Sequence, residues 1–363
     1  MMKILMVIGT RPEAIKMLPL ALEIRKCREL SLEICHSGQH REMADEVFDF
    51  FKIVPEYRFD ALREGQSLAE LTARLLNYFD VLLAKTKPDV VLVHGDTTTA
   101  FCATLASFYA DIKVAHIEAG LRTHNMSEPF PEEFNRVAID ALSKMHFAPT
   151  SLAVKNLAKE GINGVYLVGN TVVDALKYTV SKDYFSPILN DVGDRKILLV
   201  TTHRRENIGE KMRSALLGIR DILASRDDFF AILPAHPNPN VRKVIDEVFC
   251  DIKKIKICSP LPLYDFHNIL RRSFAVLTDS GGIQEEACAL GVPVFLLRDV
   301  TERYEGAESG NIRVVGSDRE KIVSEFFDVL NDPIALGKMQ TPSKVFGDGN
   351  ACEKIVKKLL CLG

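Results

Sequence analysis

Short runs of aliphatic and β-branched residues alternate along this chain with segments of helical periodicity. In the first half, the apolar runs that predict strands are residues 3–8, 32–36, 90–94, 113–117, 146–148 and 165–168. Segments that predict helices between them include residues 67–85, 97–109 and 132–143. Uniformly apolar strands separated by helices are typical of a parallel sheet covered on both faces. The first half is therefore predicted to be a doubly wound α/β domain.

The alternation pauses at residues 181–195, which contain Asp, Ser, Pro, Asn and Gly with little periodicity, and this segment is the predicted linker. It then resumes with apolar runs at 196–201, 229–233, 256–258, 274–278, 292–297 and 312–315. We therefore expect two Rossmann-like domains, 1–180 and 196–363, facing a cleft, with a last helix able to pack back on the first domain. Ligands of such sheets bind at the carboxyl ends of the strands, so residues just after strands are the candidates for function.

The composition of the chain limits which classes of protein it can belong to. The chain has 363 residues, 47% of them hydrophobic, and a net charge of −3 with acidic and basic residues interspersed. A large core is thus expected, and nucleic acid or a membrane surface is not expected as a partner. The eight cysteines lie mostly in apolar segments without CxxC spacing, which favours reduced core residues and a cytoplasmic location. The first apolar run lacks the features of a signal peptide, and no run is long enough for a membrane helix.

One segment in the last third has the pattern of a phosphate-binding turn. An apolar strand runs into Ser280, Gly281 and Gly282, and a helix follows. Exposed N–H groups at a helix start, together with two residues that lack Cβ atoms, let phosphate oxygens approach the backbone. Glu286, one turn later, can accept hydrogen bonds from both hydroxyls of a ribose. The alternative is a simple Ser-capped helix.

Basic residues follow the first strand. Thr10 and Glu13 stand at the spacing of a capping box, which gives them a structural explanation. Capping does not explain Arg11 and Lys16, which can balance a pyrophosphate from the carboxyl end of the strand. Their alternative role is surface solvation.

Three carboxylates are predicted on the same side of the cleft. Asp96 and Glu118 follow two strands, and Glu132 opens a helix. Carboxylates that converge repel one another, which raises at least one pKa and supplies an acid and a base together. Taken singly, Asp96 can cap a helix and Glu132 can simply favour a helix dipole.

Four of the histidines at or just after predicted strands fall into two groups. His203 and His236 follow strands of the second half, where a histidine can bind a phosphate or donate a proton to it. Their alternative is a structural role in a loop. His94 and His116 lie inside strand ends and are predicted to be packed in the core. No GxGxxG after a strand, no Walker A lysine and no metal-ligand spacing occurs, so we expect chemistry without a cofactor or a metal.

Together these segments resemble the non-hydrolysing UDP-N-acetylglucosamine 2-epimerases, over essentially the whole chain. The similar strings, in order, are GTRPEAIKMLPL at 9–20, QHREM at 39–43, KPDVVLVHGDTTT at 87–99, HIEAGLRT at 116–123, PFPEEFNR at 129–136, GNTVVDAL at 169–176, HRREN at 203–207 and TDSGGIQEE at 278–286. The resemblance implies a fold like that of the two-domain B-type glycosyltransferases. It also implies interconversion of UDP-N-acetylglucosamine and UDP-N-acetylmannosamine without a redox cofactor, through elimination of UDP to a 2-acetamidoglucal and its re-addition. A homodimer that binds a UDP-sugar is expected.

The resemblance also assigns roles. Asp96, Glu118 and Glu132 become the acid and base candidates, with no assignment of which takes the C2 proton. His203 and Arg11 would stabilise the departing diphosphate, Lys16 and Arg136 would line the cleft, and Ser280, Gly281, Gly282 and Glu286 would hold UDP. Some members are activated by their own substrate, and the matching positions here are Gln39, Arg204 and His236.

Two departures from the family pattern bear on the sugar. Tyr304 stands where Pro is usual, and Ser127 and Glu128 replace a more usual pair before Pro129. A related substituted UDP-sugar is therefore an alternative substrate. The sequence is also compatible with a hydrolysing 2-epimerase that releases N-acetylmannosamine and UDP, with a glycosyltransferase, and with a UDP-sugar sensor without catalysis.

Overall fold

The computed structural model describes residues 1–39, 41–63, 65–202, 209–236, 238–299 and 303–362. The chain forms two compact units, one of Met1–Lys177 with Gly347–Gly363 and one of Tyr178–Phe346. Residues 181–195, the predicted linker, include a short 3-10 turn at Pro187–Leu189 and belong to the second unit. The division into domains at 1–180 and 196–363 stays a prediction.

The first unit is built on a seven-stranded parallel sheet in the order β3-β2-β1-β4-β5-β6-β7. Its strands are β1 (Met2–Ile8), β2 (Leu30–His36), β3 (Tyr57–Arg58), β4 (Val90–His94), β5 (Lys113–Ile117), β6 (Met145–Ala148) and β7 (Val165–Leu167). The helices are α1 (Arg11–Arg25), α2 (Arg41–Phe51), α3 (Leu68–Thr86), α4 (Thr98–Tyr109), α5 (Glu132–Leu142), α6 (Ser151–Lys159) and α7 (Thr171–Thr179).

The second unit repeats this plan with a six-stranded parallel sheet in the order β10-β9-β8-β11-β12-β13. Its strands are β8 (Lys196–Thr201), β9 (Phe229–Pro234), β10 (Ile255–Cys258), β11 (Ser273–Thr278), β12 (Val294–Leu296) and β13 (Ile312–Val314). The helices are α8 (Glu210–Ser225), α9 (Pro239–Phe249), α10 (Leu263–Arg272), α11 (Gly281–Leu290), α12 (Tyr304–Ser309), α13 (Arg319–Asn331) and α14 (Pro333–Met339). The last helix, α15 (Ala351–Leu359), belongs to the first unit.

The predicted fold class, two doubly wound Rossmann-like α/β domains, is confirmed. Every predicted strand is present to within two residues at each end, because each is mainly a run of apolar residues. Most of the strands are buried, whereas β7 and β10 are only partly so. The sequence analysis missed β3, a two-residue edge strand beside β2, which is too short to show any periodicity.

Strand order reverses at one place in each sheet, between β1 and β4 in the first and between β8 and β11 in the second. Ligand sites of doubly wound sheets lie beside the carboxyl ends of the strands at this switch point. The segments that leave β1, β4 and β11 there are 9–11, 95–97 and 279–281. These segments hold several of the predicted site residues.

All eight cysteines are free, but only Cys35, Cys102, Cys288 and Cys352 are buried. The prediction of core cysteines is therefore wrong for Cys250 and Cys361, which are exposed at or near helix ends. Among the described residues, no helix is long and apolar enough to cross a membrane. Nor does that part of the chain hold a group of three or more His, Cys, Asp or Glu side chains suited to a metal ion.

Candidate functional site

Glu118 is the most constrained of the predicted carboxylates. It directly follows β5, and its backbone φ of 66° lies in the left-handed region that favours glycine. Its carboxylate oxygen Oε2 is paired with the ammonium of Lys16 on α1 and accepts a hydrogen bond of 2.6 Å from Nδ2 of Asn170. Only 8% of the Lys16 side chain and 9% of the Glu118 side chain are exposed. The structure therefore brings together two residues that lie 102 positions apart in sequence.

Two histidines at the carboxyl ends of β4 and β5 are buried, as the sequence predicted, and the first of them lies beside this carboxylate. His94, the last residue of β4, has its Nε2 3.7 Å from Oε2 of Glu118. Burial lowers the pKa of His94 from the ordinary 6.5 to about 3, so the ring is neutral. His116 bridges Oδ1 of Asp140 (2.6 Å) and the carbonyl oxygen of Gly95 (2.7 Å), which fixes the backbone between His94 and Asp96.

Asp96 and Arg136 form a second charged pair at the carboxyl end of β4. Nη2 of Arg136 lies 2.8 Å from Oδ2 of Asp96. Asn135 on the same helix donates to the Asp96 carbonyl oxygen at 2.8 Å, so α5 is attached to this turn at two successive residues. Glu132 is the partly buried first residue of α5, as predicted, and its carbonyl oxygen accepts from Arg136 Nε at 3.4 Å.

The turn after β1 is organised by Glu13. Its Oε2 accepts hydrogen bonds from the N–H groups of Gly9 (3.0 Å) and Thr10 (2.6 Å), and its Oε1 accepts from the hydroxyl of Thr97 (2.8 Å). The predicted capping box is confirmed. Burial raises the pKa of Glu13 from the ordinary 4.5 to about 7, although these hydrogen bonds act in the opposite direction. Gly9 is required here because a Cβ atom would lie 2.4 Å from Oγ1 of Thr99.

Arg11 and Gln39, two further residues predicted for the first unit, lie near the turn after β1. Arg11, at the first position of α1, lies 3.5 Å from Glu46 (Nη2 to Oε2). Gln39 follows β2 and accepts a hydrogen bond of 2.8 Å from the hydroxyl of Thr99 on α4. Both residues thus stand at the carboxyl edge of the sheet, where ligands of this fold bind.

In the second unit, β11 leads into the predicted phosphate-binding turn. Ser280 is the N-cap of α11, yet among the described residues its hydroxyl makes no capping hydrogen bond. A Cβ atom built on Gly282 would meet no described atom within 4 Å, so the backbone is open to an approaching group there. Gly281 is the first residue of the helix. This helix start therefore has the access that a phosphate needs.

Glu286 lies one turn further along α11 and is 7% exposed. Its Oε1 is 3.5 Å from Nε2 of His267 on α10, while its Oε2 has no hydrogen-bond donor among the described residues. The other ring nitrogen of His267 shares a hydrogen bond of 2.6 Å with the hydroxyl of Thr179. A buried carboxylate oxygen without a donor is suited to accept from a ligand hydroxyl.

Three further residues were predicted from the sequence, and the structure describes only the first of them. His236 is exposed, and its Nδ1 accepts a hydrogen bond of 3.1 Å from the Asn238 N–H. His203 and Arg204 lie outside the described residues. Sequence reasoning gave no site role to Asn170, His94 or His267, although Asn170 follows a strand and could have been found by that signal.

Comparison with known proteins places the chain among the nucleotide-sugar epimerases. A sequence profile described as UDP-N-acetylglucosamine 2-epimerase matches residues 22–360. The UDP-N-acetylglucosamine 2-epimerase of Bacillus subtilis (strain 168) is 46% identical over 361 residues, which are 99% of this chain and 95% of the relative. The chain belongs to the UDP-N-acetylglucosamine 2-epimerase family. The family resemblance read from the sequence is therefore confirmed.

Solved structures of this epimerase family have the same fold. The UDP-GlcNAc 2-epimerase from Neisseria meningitidis, solved bound to UDP-GlcNAc, matches with a TM-score of 0.93 and 41% identity, over 99% of this chain and 100% of that one. A structure described as a putative UDP-N-acetylglucosamine 2-epimerase from Listeria monocytogenes matches with a TM-score of 0.94 and 44% identity, over 98% of this chain and 94% of that one. A glycosyltransferase from Rickettsia africae matches at 15% identity with a TM-score of 0.62, which shows a shared fold alone.

Proposed function

We propose that this protein interconverts UDP-N-acetylglucosamine and UDP-N-acetylmannosamine without hydrolysing them. The C2 proton of the sugar has no neighbouring carbonyl group to acidify it, so direct removal and return is unfavourable. Elimination avoids this difficulty. The C1–O bond breaks with its electrons leaving on UDP, the C2 proton passes to a base, and the C2–H electron pair forms the C1–C2 double bond of a 2-acetamidoglucal. UDP then adds back to C1 and a proton adds back to C2 on the opposite face, which gives the epimer.

The carboxylates at the carboxyl edge of the first sheet carry this proposal. A proton acceptor near a cationic transition state must be positioned and largely shielded from water. Glu118 meets both conditions, because its side chain is nine-tenths buried and contacts Lys16 and Asn170. Asp96, beside Arg136, and Glu132 at the start of α5 are the further acid and base candidates.

The start of α11 in the second unit supports the choice of a UDP-sugar. The N–H groups of Gly281 and Gly282 would bind phosphate oxygens with the positive end of the helix dipole. Glu286 would accept hydrogen bonds from the ribose, since one of its buried oxygens has no donor among the described residues. Donors arranged around the leaving phosphate stabilise the charge that develops there, and one such donor contributes about 3 kcal/mol.

The test is proton NMR of the purified full chain with UDP-N-acetylglucosamine in D2O and no added cofactor. We expect UDP-N-acetylmannosamine with deuterium at C2, because the proton is exchanged with solvent while the glucal is bound. Free N-acetylmannosamine together with UDP would replace the proposal by a hydrolysing 2-epimerase. An unchanged spectrum would contradict epimerisation of this sugar, and substituted UDP-sugars would then be assayed by the same method.

A further inference from the structure

Asn170 lies between two groups that together determine how its side-chain amide is oriented. Its Oδ1 accepts a hydrogen bond of 3.0 Å from the N–H of Val172, the second residue of α7. A backbone N–H can only donate, so the amide oxygen must face it and the NH2 group must face the other way. That NH2 group donates to Oε2 of Glu118 at 2.6 Å. The start of α7 thus fixes the direction of the hydrogen bond that Glu118 receives.

The same carboxylate oxygen faces two titratable groups within the described residues. Lys16 contributes an ammonium from α1, and His94 contributes a neutral ring from β4, with Nε2 at 3.7 Å. A neutral amide donor beside an ammonium stabilises an ionised carboxylate without adding a second positive charge. Glu118 itself has a backbone φ of 66°, a strained conformation for a non-glycine residue that persists only where surrounding contacts hold it.

We propose that Asn170 is a positioning residue for the reaction, which holds the Glu118 carboxylate ionised and in a single orientation for proton transfer. The inference rests on the proposed epimerisation, because it deepens the role given there to Glu118. Asn170 is 2% exposed and acts through Glu118. Supporting residues of this kind are needed because small displacements of a proton acceptor lower the rate.

The variant Asn170→Asp separates this role from helix capping. Aspartate retains the oxygen that accepts from Val172 and is as good a capping residue as asparagine, so α7 should keep its start. The same change replaces the NH2 donor by a second carboxylate against Glu118. Like charges at this distance favour protonation of one of them, and the two would compete for the Lys16 ammonium. Asn170→Ala removes both the cap and the donor without adding charge.

The matched control is Asn163→Asp. Asn163 precedes β7 whereas Asn170 follows it, so the two residues flank one strand at opposite edges of the sheet. Asn163 is exposed, and the same charge change there should leave kcat, KM and the pH profile as in wild type. Glu118→Gln serves as the reference for loss of the proton acceptor.

The experiment measures kcat, KM, melting temperature and the pH–rate profile of these full-length variants with UDP-N-acetylglucosamine. For Asn170→Asp we expect a melting temperature close to that of wild type and a kcat at least about tenfold lower, with KM little changed, since positioned acid–base groups contribute 10²–10⁴-fold. The acidic limb of its profile should move to higher pH. Asn170→Ala should lose a similar factor in kcat with a smaller movement of that limb.

Two results would overturn the inference. If Asn170→Asp kept the wild-type kcat and pH profile, or if both Asn170 variants failed to fold, Asn170 would be a structural cap and no more. Failure of the proposed function is distinguishable, because wild type itself would then produce no epimer and the inference would fall with it. An active wild type with an unaffected Asn170→Asp removes the positioning role alone.

Discussion

Glu13 is a buried and Glu118 a largely buried carboxyl group at the carboxyl edge of the first sheet, but their contacts differ. Glu118 is paired with an ammonium, whereas the hydrogen-bond donors to Glu13 are neutral N–H and O–H groups of Gly9, Thr10 and Thr97. Neutral donors only partly offset the loss of hydration, which is why the pKa of Glu13 rises to about 7. Glu13 therefore titrates close to neutral pH.

This titration makes stability depend on pH in a defined direction. An unfolded chain releases the Glu13 proton near pKa 4.5, and the folded protein releases it near 7. The stability linked to Glu13 is therefore fully present below the lower value and is lost as the pH rises through the upper one. Glu13→Gln removes the dependence. The measured quantity is the difference in unfolding free energy between wild type and this variant. As the pH rises from about 5 to about 8, we expect wild type to lose at most about 3 kcal/mol relative to the variant.

Urea denaturation of both proteins at the two pH values measures this difference. Glu29→Gln is the control, because Glu29 is exposed and precedes β2 at the opposite edge of the sheet. A difference that stays constant with pH would mean that Glu13 remains ionised throughout the range.

At the scale of elements, helix starts at the carboxyl edges differ in what their polar residues do. Thr97 caps α4 by accepting a hydrogen bond of 3.0 Å from the Ala100 N–H. Ser280 occupies the equivalent position of α11 without capping it within the described part of the chain, and glycine follows it twice. A helix start that is closed by its own cap suits stability, whereas one left open suits an anion.

Gly282→Ala is predicted to weaken UDP binding without destabilising the fold. The added Cβ meets no described atom within 4 Å, and alanine is a better helix former than glycine by about 1 kcal/mol. The same methyl group would obstruct a phosphate at the backbone, so we expect the Kd for UDP to rise at least about tenfold, which is about 1.4 kcal/mol. Isothermal titration calorimetry and thermal unfolding measure the two effects.

Gly337 provides the matched control, since it also lies in a helix, α14, and a Cβ there also meets no described atom within 4 Å. Gly337→Ala should leave UDP binding unchanged. Equal affinity for UDP in the two variants would remove Gly282 from the proposed phosphate site.

The boundaries of the strands could be predicted from the sequence, whereas the contacts of the site residues could be predicted only in part. The strands that end at His94 and Ile117 are mainly apolar runs, and every residue in them except Lys113 is buried. The spacing predicts that Glu13 is part of a cap, which is confirmed, but its hydrogen bond from Thr97 depends on β4 pairing with β1 and is not a local property. The same holds for the Lys16–Glu118 pair.

At the scale of the whole molecule, the end of the chain returns to the unit where the chain begins. The two carboxylate oxygens of Asp174 on α7 accept hydrogen bonds from the N–H groups of Ala351 (3.1 Å) and Cys352 (3.0 Å) at the start of α15. Burial raises the pKa of Asp174 although both N–H groups act against the shift. A side chain far away in sequence thus caps the last helix.

Asp174→Ala should destabilise the protein by about 1–3 kcal/mol, because it leaves two buried N–H groups without their acceptor. Chemical denaturation measures the loss, and limited proteolysis should cut the variant earlier near residue 350. Asp80→Ala is the control, since Asp80 is exposed on α3. Stability equal to that of the control would contradict the cap.

The sequence by itself determined the periodicity, hence the two doubly wound sheets, and it determined which residues follow strands at their carboxyl ends. These features are local, because apolar runs, glycines and capping residues act within a few positions of one another. Only the tertiary structure decided that Asn170 contacts Glu118 across 52 positions and that Asp174 caps α15 across 177. Such contacts depend on strand order and on which helices pack together, and no spacing along the chain encodes them.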